Sequence, residues 1–280
     1  LVTLFALPVL AMGDFIGNLG GLFMQEETWQ SDQLFKPYGK QVYRLAQKIE
    51  RKQPITLEEV KSLPEDINKR YGKEITLLFH AASSHNLQAV DVILQAGADT
   101  TMPSRLPKGY DFTYVLGLPG GDEGTPGDIH FVNGLIKLYL KNGGDPNAKT
   151  EGNNMEPIIV HAAISRNMEG MRMLLDAGAD FWATDKRGST AASTIAQGAY
   201  SDLLHEFIDA DYFNNAPEEK LERFMRSLSG YTQRGDERSL QNQKIGRRVL
   251  RRNPHYEEDF YTQRLFQGPI PWKQILDEDY

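Results

Sequence analysis

Asn154-Met155-Glu156-Pro157-Ile158-Ile159-Val160-His161-Ala162-Ala163, a helical run to Leu174-Leu175, and then Asp176-Ala177-Gly178-Ala179-Asp180 make up one unit of sequence with a visible plan. An apolar stretch closes on two alanines, apolar side chains at helical spacing follow, and a glycine supplies the positive φ needed to leave the helix. The plan occurs once more upstream. Thr76-Leu77-Leu78-Phe79-His80-Ala81-Ala82 leads to Ile93-Leu94-Gln95-Ala96-Gly97-Ala98-Asp99. The two stretches align without a gap, because His80 to His161 and Gly97 to Gly178 are both 81 residues apart. Two co-registered copies predict a stack of helix pairs, not a chance apolar run.

The unit resembles the ankyrin repeat, a turn plus two antiparallel helices of about 33 residues with a T-P-L-H-x-A signature. The resemblance implies an all-α fold, a solenoid of about four repeats over residues 73–210. Repeat one spans 73–105, with a second helix from Asn86 to Gln95. Repeat two ends at Gly143-Gly144-Asp145-Pro146-Asn147 and buries Val132, Leu135, Ile136, Tyr139 and Leu140. Gly97 to Gly143 is 46 residues, about 13 more than the usual unit. The surplus falls in 103–128, rich in proline and glycine. Standing outside the repeat spacing, it is expected to be removable (Leu106–Thr125) without loss of folding. Repeat three is the opening stretch. Repeat four, from Gly188-Ser189-Thr190 to Phe207-Ile208, puts Thr194 where repeat three has His161.

Helical caps are expected on both sides, since terminal units must cover an otherwise exposed apolar face. In the N-terminal cap, 14–72, Tyr38 to Lys52 places Val42, Leu45, Ala46 and Ile49 on one face, and Thr56-Leu57-Glu58-Glu59 is a capping box. The C-terminal extension, 211–280, contains a basic run at 238–252 that reads as an amphipathic helix. Leu240, Ile245, Val249 and Leu250 face the last repeat and the arginines stay in water. Residues 1–13 form an uncharged apolar run with Ala11 and Gly13 near its end. It has the form of a signal-peptide remnant, shorter than the roughly 20 residues of a membrane span. Export to the periplasm is therefore the expected location, with a cytoplasmic or N-terminally anchored protein as the alternative.

The chain of 280 residues carries a net charge of −7, which argues against nucleic acid as the main partner. It has no cysteine, so disulfides, thiolate metal sites and cysteine nucleophiles are excluded. No G-x-S-x-G elbow, H-E-x-x-H spacing or phosphate-binding loop is present, and no catalytic residue, cofactor or metal is expected. His80 and His161 take a structural role in the resemblance, bonding locally and tying neighbouring hairpins together.

Ankyrin arrays bind other proteins through hairpin tips and inner helices. The resemblance implies contact residues Ser83, Ser84 and His85 in repeat one and Ser165, Arg166 and Asn167 in repeat three. The tips add Lys149, Glu151, Asn153, Thr184, Lys186 and Arg187, and Asp122 and Glu123 lie in the inserted segment. Trp182, next to the buried Phe181, is expected to be exposed and to act as an anchor. The expected function is a non-enzymatic, exported bacterial binding protein that neutralises a toxin or effector enzyme, as an immunity protein does. Alternatives are an assembly or protective factor for a periplasmic enzyme, and an enzyme whose site lies in the flanks.

Overall fold

The computed structural model of the chain describes residues 30–103, 111–117, 126–150, 156–198, 200–230 and 236–268. The expected signal remnant at 1–13 lies outside these residues, as do Asp122, Glu123, Glu151 and Asn153.

The described residues are all-α. Fourteen α-helices follow in order: α1 Ser31–Leu34, α2 Lys40–Glu50, α3 Leu57–Lys61, α4 Leu77–Ser83, α5 Leu87–Gln95, α6 Phe112–Val115, α7 Pro126–Lys141, α8 Ile158–Ile164, α9 Met168–Asp176, α10 Ala191–Gln197, α11 Ser201–Asp209, α12 Glu218–Ser229, α13 Glu237–Arg252 and α14 Phe260–Phe266. No strand forms among them. One isolated antiparallel bridge joins Lys149 to Pro157.

The helices form two rows. In the inner row α2 packs on α4, α6 on α8, α8 on α10, α10 on α12 and α12 on α14. The outer row runs α3, α5, α7, α9, α11, α13: α3 packs on α5, α5 on α7, α7 on α9 and α11 on α13, while α9 and α11 are joined by the Arg172–Glu206 ion pair. Helices of successive rows pair as hairpins, α4 with α5, α8 with α9, α10 with α11 and α12 with α13. The stacking therefore continues through α12, α13 and α14, beyond the point where the periodic sequence pattern stops.

Local sequence explains the helix ends. Thr56 and Glu59 form the expected capping box, with the Glu59 N–H donating to Thr56 Oγ1 at 3.2 Å and the Thr56 N–H to Glu59 Oε2 at 2.8 Å. Thr76, Asn86, Asn167 and Thr190 each accept from a backbone N–H in the first turn of the helix they open. Gly97, Gly143 and Gly178 take φ of +91°, +84° and +95°, the left-handed exit that glycine adopts at no steric cost. Val42, Leu45, Ala46 and Ile49 are buried along α2, as their spacing predicts.

The structure corrects three expectations. Residues 111–117, inside the segment read as a removable insertion, are buried throughout, and Phe112, Val115 and Leu116 belong to the core. Asp111 caps α6, accepting from Tyr114 N–H at 3.0 Å. A four-residue helix carries too little periodicity to be read from sequence. Leu240 is 58% exposed, not turned inward with Ile245, Val249 and Leu250. The buried face of α13 runs through Ser239, Asn242, Ile245, Gly246, Val249 and Leu250, and Leu240 stands off it. Trp182, expected on the surface, packs against the core.

Deleting Leu106–Thr125 removes α6 and should abolish the cooperative unfolding transition. Leu116→Ala should cost about 2–5 kcal/mol by urea denaturation. An unchanged midpoint for either variant would show that the segment is dispensable.

Candidate binding surface

The surface begins with the turns that leave each outer helix. Asp66, Asp99, Asp145 and Asp180 each accept, through Oδ1, the backbone N–H two residues on, at 2.7–2.8 Å. These are Asx turns, which aspartate favours because its short side chain reaches its own backbone. Neighbouring turns are tied together. Asn68 Oδ1 accepts the Asp99 N–H at 2.7 Å. Asn147 Oδ1 accepts the Asp180 N–H at 2.7 Å while its Nδ2 donates to the Gly178 carbonyl at 3.1 Å.

Two short fingers follow this ladder, described at 148–150 with 156–158 and at 184–190. The first closes through Thr150 N–H to the Glu156 carbonyl at 2.9 Å and Ile158 N–H to the Ala148 carbonyl at 3.1 Å. The second closes on the buried Asp185, whose Oδ1 accepts the N–H groups of Arg187 at 2.8 Å and Ser189 at 2.7 Å. Lys149 on the first finger and Lys186 and Arg187 on the second are exposed. Their side chains meet no acid among the described residues. Thr184 is half-buried and receives Lys220 Nζ at 3.5 Å.

At the other expected contact positions, the links between inner and outer helices, the structure divides the residues. Ser83 and Ser84 are half-buried, and Ser83 Oγ donates to the His80 carbonyl at 3.0 Å. His85 and Arg166 hold matching places at φ of +51° and +58°. The His85 ring stacks on Phe131 with centroids 4.4 Å apart, and the exposed Arg166 guanidinium lies 5.4 Å over the Tyr200 ring. Ser165 and Asn167 are corrected: both are buried, at 8% and 4% exposure. Ser165 Oγ donates to the Gly117 carbonyl and Asn167 caps α9, so each serves the fold. Trp182 is corrected for the same reason. Its Nε1–H donates to the Tyr212 carbonyl at 3.0 Å, and its ring meets Phe181 and Phe213 edge-on. The missed signal is the aromatic run Tyr212-Phe213, which gives the indole something to pack against.

The two histidines are interior groups. His80 is fully buried beside Phe35 and places Nε2 3.2 Å from the Ala46 carbonyl of α2. His161 faces Tyr114 at 4.8 Å between ring centroids, and Gly117 leaves room for it, since a Cβ there would come within 2.2 Å of the imidazole. Burial pushes both imidazoles down to about 4, against a backbone bond that raises His80 slightly. They are held neutral and lie in different hairpins, so they make no acid–base pair.

Among the described residues no group of His, Asp and Glu could hold a metal ion. A cleft of about 250 Å³ between Leu94, Asp99, Tyr139 and Gly143 has a single carboxylate, already engaged in its Asx turn. No described helix is long and apolar enough to cross a membrane. No family model matches the sequence, and no curated protein is significantly similar to it.

The histidines fix a pH dependence. Their folded-state values lie below the unfolded value near 6.5, so the unfolded chain binds more protons between about 6.5 and 4. The stability they contribute is complete above that window and falls as pH drops through it, by up to about 3 kcal/mol each. Chemical denaturation from pH 7.5 to about 4.5 should show this loss, reduced in His80→Gln. A flat profile would show that the imidazoles are not held neutral. Trp182→Phe, which removes the indole N–H bond and part of the ring packing, should lower stability by at least about 1–2 kcal/mol. If thermal unfolding is unchanged, Trp182 is not a packing residue.

Proposed function

We propose that the chain is a non-enzymatic, ankyrin-type binding protein that holds another protein against its fingers. The observation that carries this reading is the pair of fingers. A ladder of Asn and Asp side-chain bonds to backbone N–H groups pins them on a stack of hairpins, and they present Lys149, Lys186 and Arg187, which meet no acid among the described residues. Exposed cations held in place without partners suit recognition of an acidic protein surface, where charge complementarity speeds encounter and excludes wrong partners.

The ankyrin assignment draws support from the paired short helices, the repeated Gly-x-Asp exits and the helix-capping Thr76 and Thr190. One detail departs from the signature. There the histidine is third after the threonine, whereas here Phe79 is third after Thr76 and His80 fourth. The helix start is retained and the histidine turns to the preceding hairpin. Within this reading the protein is an immunity or inhibitor protein for a toxin or effector enzyme, acting in the periplasm.

The test pairs capture with inhibition. The triple variant Lys149→Glu, Lys186→Glu, Arg187→Glu should stay folded and bind the partner isolated with the wild-type chain at least about tenfold more weakly. The wild-type chain should suppress that partner's activity. Unchanged affinity of the triple variant would remove the finger surface. A partner whose activity rises in the complex would make this an assembly factor.

A further inference from the structure

A second charged surface lies far from the fingers in sequence. Residues 36–52 contain Lys36, Lys40, Arg44, Lys48, Arg51 and Lys52 against a single acid, Glu50, in a chain whose net charge is −7. Cations four apart, with about 100° of rotation per residue, fall on one helix face. On α2 that face is opposite the buried one. Val42, Leu45, Ala46 and Ile49 point into the core, and Lys40, Arg44 and Arg51 are exposed on the other side.

Cations outnumber acids around this face, and four of them form no ion pair among the described residues. Glu50 is engaged by the Ser31 N–H at 2.8 Å, and Asp32 accepts the Tyr43 hydroxyl. Lys48 pairs with Glu59 at 2.5 Å, and Lys36 lies 5.9 Å over the Tyr43 ring. Lys40, Arg44, Arg51 and Lys52 meet no described acid. The other basic helix, α13, is arranged differently. There Arg248 bridges to Asp209 and His205, Arg238 donates to the Gln197 carbonyl and Arg247 lies over Phe266. Arg238, Arg247 and Arg248 of α13 reach neighbouring helices, whereas Lys40 and Arg44 of α2 are exposed.

We infer that the basic face of α2 docks on an anionic lipid surface. A straight row of cations on one helix face fits a plane of headgroups. The same end of the sequence carries the uncharged apolar run at 1–13, and lasting attachment to a bilayer generally takes an apolar element together with a polybasic one. A long polyanion such as duplex DNA would need a more extensive basic surface than one row on an acidic chain.

The test is sedimentation of the full chain with vesicles of phosphatidylcholine, alone or mixed equally with phosphatidylglycerol. The mixed vesicles should bind the chain and added salt should release it. Lys40→Gln, Arg44→Gln, Arg51→Gln should weaken partitioning at least about tenfold. A control of equal charge change at exposed sites elsewhere, Lys137→Gln, Lys244→Gln, Arg264→Gln, should leave it within about twofold. Equal binding to both vesicle types, equal loss in the two triple variants, or no loss in either would overturn the inference. So would tighter binding to duplex DNA than to the mixed vesicles.

Discussion

The structure depends on how the open ends of short helices are closed. An α-helix leaves its last four carbonyls without partners inside the helix, and seven-residue helices such as α4, α8 and α10 are too short to be stable alone. In α4 and α8 these carbonyls are met by the N–H groups of the residues that follow, Ser84 to Asn86 and Ser165 to Asn167, and side chains of the neighbouring hairpin add bonds between units. His80 reaches the Ala46 carbonyl and Asn86 the Ile49 carbonyl, both near the end of α2. Arg238 donates to Gln197 at the end of α10, and Asn242 to Leu228 near the end of α12. Asn253 donates to Phe213 and Val249 and accepts the Ala216 N–H. A buried backbone group left open would cost about 1–3 kcal/mol, so bonds such as Arg238 to Gln197 and Asn242 to Leu228 hold a hairpin to its neighbour.

The outer row is joined by a second set of polar contacts on the helix surfaces. Gln88 exchanges two bonds with the Ile55 backbone, Asp91 meets Lys141 and Asn142, Asn133 donates to Glu169, Arg172 forks onto Glu206, and Asp209 meets Arg248. Each consecutive pair from α5 to α13 is linked by at least one of these, and Gln88 ties α5 to the chain that enters α3. Exposed ion pairs contribute little individually, about 0–1 kcal/mol, so their main effect is on the alignment of the row. They also use acids that might otherwise neutralise exposed cations. What remains uncompensated is confined to particular places, among them the fingers and the outward face of α2.

Much of this was legible in the sequence. The apolar face of α2, the capping box at Thr56, the helix opened by Asn86 and the glycine exits follow from local spacing and backbone geometry, and the structure has them. The errors share a physical cause. Trp182 reads as an anchor until Tyr212 and Phe213 are brought beside it from 30 residues on. Ser165 and Asn167 look like polar loop residues until their partners, the Gly117 carbonyl and the α9 N-terminus, are in place. Residues 111–117 hide a buried helix among prolines and glycines because burial there is decided by α8, which is more than 40 residues away. Local rules fix where helices start and stop. Which side of a polar or aromatic residue meets the interior depends on the neighbouring hairpin.

In the proposed function the ladder-pinned pair of fingers is the face offered to a protein partner. Hydrogen–deuterium exchange of the chain, free and saturated with its partner, tests it most directly. The complex should gain protection at 145–150 and 184–190, with α13 and α14 exchanging as in the free chain. Protection confined to 237–268, with the fingers unchanged, would contradict it and place the interface on the C-terminal helices.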